Sequence, residues 1–148
     1  MHTDLSPWGV DWLWSLPLIA VTVAIHSLGL GMIDTRVALA LDRNKKNRTA
    51  GRFSILIMGS TALCTTVLHG VEASLWAAAY ILLGALADRR MAMLYSLSAM
   101  TSYGHANLFL EPRWQLMGAL EALNGWILFG LTAAFMFTII QRVWPYMK

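Results

Sequence analysis

Met91-Ala-Met-Leu-Tyr-Ser-Leu-Ser-Ala-Met100, then Thr101-Ser-Tyr-Gly-His-Ala-Asn107, then Leu108-Phe-Leu-Glu-Pro112: this stretch decides how the chain folds. Its first ten residues are apolar apart from Ser96 and Ser98. Ten helical residues rise about 15 Å, half of what a hydrocarbon core of about 30 Å requires. The next seven include Thr101, Ser102, Gly104 and Asn107, residues that punctuate a helix. A short apolar helix followed by such a turn reads as a re-entrant hairpin if membrane-spanning segments flank it. Irregular backbone at membrane depth must be buried in protein or face water. One short chain cannot enclose such a loop, so the hairpin implies either an oligomer around a shared pore or a partner protein.

The flanks do read as spanning segments. Trp12 to Ile33 carries no charge, Phe53 to Ala87 carries only Glu72, and Trp114 to Ile140 carries only Glu121. Each exceeds the roughly 20 residues that a crossing needs. The 148 residues are 57% hydrophobic and 13% charged, with a mean hydropathy of +0.56. Soluble domains carry about 25% charged residues. The composition therefore excludes a soluble monomer, a disordered tail and a nucleic-acid-binding module. Residues 1–11 hold two acids and no Lys or Arg, unlike the basic start of a signal peptide. The lone Cys64 sits in an apolar run and allows no intrachain disulfide.

Charge sets the expected orientation. Arg36, Arg43, Lys45, Lys46, Arg48 and Arg52 cluster between the first two crossings, and Arg142 and Lys148 follow the third. Only Arg89, Arg90 and Arg113 fall on the opposite side. Basic residues beside crossings stay cytoplasmic. The N-terminus is expected outside and the C-terminus in the cytoplasm. Trp8, Trp12, Trp14, Trp114 and Trp144 are expected in the interfacial aromatic belts.

The order of spanning helix, short helix, Thr/Ser turn, Trp and spanning helix resembles the pore module of the two-transmembrane potassium channel superfamily. It is closest in kind to small bacterial ion-channel proteins with one extra helix in front. The resemblance covers about His69 to Trp144, roughly half the chain, and includes Glu72 with Trp76, Tyr95-Ser96-Leu97, Leu120 to Gly125 and Phe129 to Ala134. It implies an all-α integral membrane protein with three transmembrane helices, a re-entrant pore helix and a tetrameric pore. Residues 1–52 would form the first helix and basic loop. Residues 53–148 would form the pore module: outer helix 53–87, pore helix and filter loop 91–112, inner helix 114–141.

The family's filter, Thr-Val-Gly-Tyr-Gly-Asp, falls on Ser102 to Asn107, with Thr101 before it. Ser102 keeps a hydroxyl, Tyr103 stands where Val is usual, and Gly104 matches. His105 replaces the tyrosine, Ala106 the second glycine and Asn107 the aspartate. A second register, two residues away, would match Tyr103-Gly104 to the family's Tyr-Gly. A potassium filter points stacked carbonyl rings at the ion, using left-handed backbone that glycine adopts cheaply. Ala106 in that conformation costs about 1–2 kcal/mol per subunit. The upper filter is therefore expected to depart from potassium geometry. A cation site built on Thr101, Ser102 and Gly104 stays open. His105 either turns behind the filter or lines the mouth, where acid would charge it; a four-histidine metal site is the third reading.

Ionisable residues inside membrane helices face protein or water. His69, Glu72 and Glu121 are expected to brace the hairpin, and Gly125 is either the inner-helix hinge of the family or a packing site. The expected function is passive conduction of K+ or Na+ with altered selectivity, in a bacterial inner membrane. The alternatives are a non-conducting regulatory subunit that joins a partner channel, and a proton-conducting or pH-gated variant. No enzyme motif is present in the sequence, and no resident cofactor or metal is expected. The partners are further copies of the chain and the lipid bilayer, with no nucleic acid.

Overall fold

The computed structural model describes residues 7–44, 50–104 and 108–144. The chain is all-helical, and no strand occurs among the described residues. Helix α1 spans Pro7–Asn44 and α2 spans Ala50–Leu82. Helix α3 spans Arg89–Met100. A single 3-10 turn at Pro112–Trp114 leads into α4, Gln115–Val143. Helices α1, α2 and α4 are long and apolar enough to cross a membrane, the pattern of a multi-pass membrane protein.

The distribution of polarity is inverted relative to a soluble bundle. Asp11, Ser15, Thr22 and His26 of α1 are buried, as are Glu72, Ser96, Glu121 and Asn124. Leu28, Met32, Leu56, Leu63 and Val67 face outward. The α1 residues recur at intervals of four, seven and four, so they form one stripe on the inward face. In lipid, apolar surface gains nothing by burial between helices. Close packing and interhelical hydrogen bonds hold the bundle instead.

Two apolar clusters close its ends. One joins Trp76, Tyr80, Ala85, Leu110, Trp114 and Met117. The other joins Val37, Ile57, Ile139 and Val143. At this second end Arg142 also reaches Asp34, with Nη1 2.6 Å from Oδ1. Trp114 is 7% exposed and belongs to the first cluster; it is a core residue, where the sequence placed it in an aromatic belt. It shares that cluster with Leu110, from the segment that leads back to α4.

Helix α2 stops at Leu82, five residues short of the expected outer-helix end at 87. The cause is Gly84. Its φ is +68°, a left-handed conformation that glycine adopts without strain. Gly84 N–H donates to the Ile81 carbonyl at 3.1 Å, and Ala85 N–H reaches back to Tyr80 at 2.8 Å. These are the two bonds of a Schellman ending, and buried Ala85 against Tyr80 supplies its apolar contact. Asp88 then caps α3, accepting the Met91 N–H at 2.8 Å. Helix α4 begins at Gln115 and ends at Val143, against an expected 114–141. Pro17 lies inside α1, ten residues after the helix begins at Pro7.

Helix α3 runs back along α2 and reaches α4 at Gly125. That is ten residues into α4, about 15 Å along its axis. The chain then returns through residues 108–111 to the start of α4.

Candidate functional site

Three polar contacts lie one after another down the inward face of α4, at Glu121, Asn124 and Thr132. Glu121 is fully buried. Tyr80 of α2 donates its hydroxyl to Oε2 at 2.6 Å. Ser96 of α3 donates to Oε1, and its hydroxyl also lies 2.8 Å from the Ala73 carbonyl oxygen. One carboxylate therefore ties α2, α3 and α4 together. Three residues on, Asn124 Nδ2 donates to Thr22 Oγ1 of α1 at 2.9 Å.

Beside them, Gly125 meets the end of α3. A Cβ on Gly125 would run into the Met100 carbonyl oxygen and Cα. Only glycine lets the two backbones approach this closely. The packing role suggested for Gly125 in the sequence thus has a direct geometric counterpart. Helix α4 runs unbroken through Gly125, from Gln115 to Val143.

The turn after α3 is also capped in the Schellman manner. Ser102 has φ +54°. Ser102 N–H donates to Ala99 O at 3.1 Å, and Tyr103 N–H to Ser98 O at 3.0 Å. Gly104 is left-handed as well, with φ +70°. Thr101 donates its hydroxyl to Leu97 O at 2.6 Å, and Ser102 Oγ accepts from Trp126 Nε1 at 3.0 Å. Both hydroxyls thus stabilise the turn within the chain. Thr101, Ser102, Tyr103 and Gly104 are exposed. His105, Ala106 and Asn107 lie outside the described residues.

The third contact is a closed ring. Glu72 is fully buried on α2. Its Oε1 lies 2.8 Å from Nδ1 of His26 on α1, and its Oε2 lies 3.3 Å from Nδ1 of His69. Thr132 Oγ1 of α4 closes the ring at 3.0 Å from Nε2 of each histidine. Thr132 is 17 residues beyond the first residue of α4 and 11 before the last, roughly 26 and 17 Å from the two ends. The ring therefore sits deep in the apolar stretch. Among the described residues, His26, His69 and Glu72 are the group whose metal-ligating atoms converge, all within 4.8 Å of one another.

The structure separates the three residues expected to brace the hairpin. Glu121 meets α3 directly through Ser96. Glu72 and His69 join α1, α2 and α4 instead. His26 is the member that the sequence reading missed. A buried histidine in an uncharged apolar run was the available signal, because such a residue needs a polar partner on another helix.

No protein-family model matches the chain, and neither a curated protein nor a solved structure matches it.

Proposed function

We propose that this chain is one subunit of a homotetrameric pore-loop channel that conducts monovalent cations passively, with selectivity altered from the potassium consensus. The observation that supports the reading is the short helix α3 with the exposed turn that follows it. A twelve-residue helix ends against α4 about 15 Å along its axis, and left-handed backbone follows at Ser102 and Gly104. Exposed hydroxyls and backbone at that depth need water or further protein around them. Fourfold assembly around the turn supplies both. Glu121 is suited to hold the hairpin because its two oxygens take one hydroxyl from each neighbouring helix.

In this reading Thr101, Ser102, Tyr103, Gly104, His105, Ala106 and Asn107 form the filter loop. Ala106 disfavours the left-handed step that a second glycine would take, and Asn107 removes an acidic ring from the mouth. Permeant K+ or Na+ enters from outside a bacterial inner membrane. The basic segment between α1 and α2 and the C-terminus face the cytoplasm. The chain performs no catalysis and needs no resident cofactor.

The test is ion flux from liposomes containing the purified chain, with K+, Na+ or only an impermeant cation inside. The wild type should pass both metals. The Ala106→Gly variant should gain preference for K+. A folded tetramer that passes neither ion would overturn the reading and favour a non-conducting subunit.

A further inference from the structure

We propose that His26, His69 and Glu72 form a site for one borderline divalent transition-metal ion, of the zinc and cobalt class. Thr132 would orient the two imidazoles behind it. The site is independent of conduction and belongs to the contact between α1 and the other two long helices.

The argument starts from proton count. Four contacts close the ring: two between histidine and Glu72, two between histidine and Thr132. Each contact needs one proton between its heavy atoms. Two neutral imidazoles and the threonine hydroxyl supply three, and an ionised carboxylate supplies none. One contact is then left with lone pair facing lone pair, and it is the longest, the 3.3 Å approach of His69 Nδ1 to Glu72 Oε2, an oxygen that is buried without a hydrogen-bond partner. A cation completes the set.

The arrangement suits a metal ion in three respects. Thr132 Oγ1 is equidistant from the two Nε2 atoms, at 3.0 Å each, and a hydroxyl oxygen can accept two N–H bonds. With a metal bound, both Nε2 atoms would carry the ring protons, which would leave both Nδ1 lone pairs bare on the Glu72 side. The two Nδ1 atoms face opposite oxygens of that carboxylate. Two imidazoles and one carboxylate with an open position form an established zinc donor set. Orientation of a ligating histidine through its other nitrogen is the usual outer-shell arrangement. Imidazole donors favour zinc, cobalt and nickel over magnesium or calcium.

An entry path exists as well. His26 and Glu72 are fully buried, but the His69 side chain is 30% exposed. His69 lines a groove of about 600 Å³ with Thr66, Gly70, Thr101, Gly125 and Trp126. An ion can therefore approach from the side of the turn.

The experiment uses the full chain, purified in detergent through an affinity tag without histidine and stripped with a chelator. Cobalt(II) is the probe. One equivalent per chain should bind, with the visible absorption of a four- or five-coordinate ion, and zinc should displace it. His26→Ala, His69→Ala and Glu72→Gln should each abolish the band. Thr132→Val should keep the band and weaken binding roughly 10- to 100-fold. A His2→Ala/His105→Ala double variant should bind like wild type. Helix content by circular dichroism checks each variant. If His26→Ala loses helix, His26→Gln replaces it, because the amide still bonds Glu72 but ligates metal poorly. A helical wild type that binds no cobalt overturns the proposal, and the ring's missing cation is then a proton. A band that survives in folded His26 and Glu72 variants overturns it too.

Discussion

Gly125 and Gly118 both lie on the buried face of α4, but they differ in what a side chain would strike. At Gly125 the obstacle is the Met100 backbone. At Gly118 it is mainly the Tyr95 hydroxyl, the far end of a side chain that can swing. Gly125→Ala should therefore push α3 away from α4 and destabilise by about 1–3 kcal/mol, the usual cost of overpacking. Gly118→Ala should cost less. Thermal unfolding in detergent, followed by circular dichroism, ranks the two. Equal melting temperatures would mean that α3 is free to move. The residue scale also marks where sequence reasoning stops. Small residues at Gly118 and Gly125 were visible, but which backbone each one faces was not.

Among the elements, the end of α2 and the body of α1 contrast a glycine needed for its conformation with one that is not constrained. Gly84 has open space around its Cα but φ +68°. Gly84→Ala should lower stability by about 1–2 kcal/mol through backbone strain alone. Gly31, in the body of α1, also has open space and no left-handed φ. Gly31→Ala should be neutral or stabilising by about 0.5–1 kcal/mol. The same melting measurement serves both. If the two substitutions have equal effects, the helix ending does not depend on its cap. Element types were legible in the sequence because each long apolar run had charged flanks. The end of α2 was not, since Leu83-Gly84-Ala85 is apolar and keeps hydropathy high through the turn. The length of α3 was legible because Asp88-Arg89-Arg90 and Thr101-Ser102 bracket it. The His26–Glu72 pair was not. It joins residues 46 apart, and periodicity does not fix the rotation of one helix on another.

At the scale of the whole molecule, buried polar residues such as Glu121, Asn124 and His26 link the helices from inside while the turn at Thr101 to Gly104 stays exposed. On the proposed reading, that exposed turn is the edge that further copies of the chain would cover. Light scattering of the purified chain, corrected for detergent, should give four copies per particle. A stable monomer would leave the turn facing lipid and would remove the pore.

The clasp at the far end of the bundle bears on how such an assembly could open. Ile139 and Val143 of α4 are packed with Val37 of α1 and Ile57 of α2. Arg142 grips Asp34, and Ser54 Oγ lies 3.5 Å from the Val143 carbonyl oxygen. On the proposed channel reading, a helix packed there against two neighbours would splay at its tip only by breaking these contacts. Motion at that end has to carry α1 and α2 along, so each subunit would swing as a single three-helix lever, with the first helix serving as its counterweight.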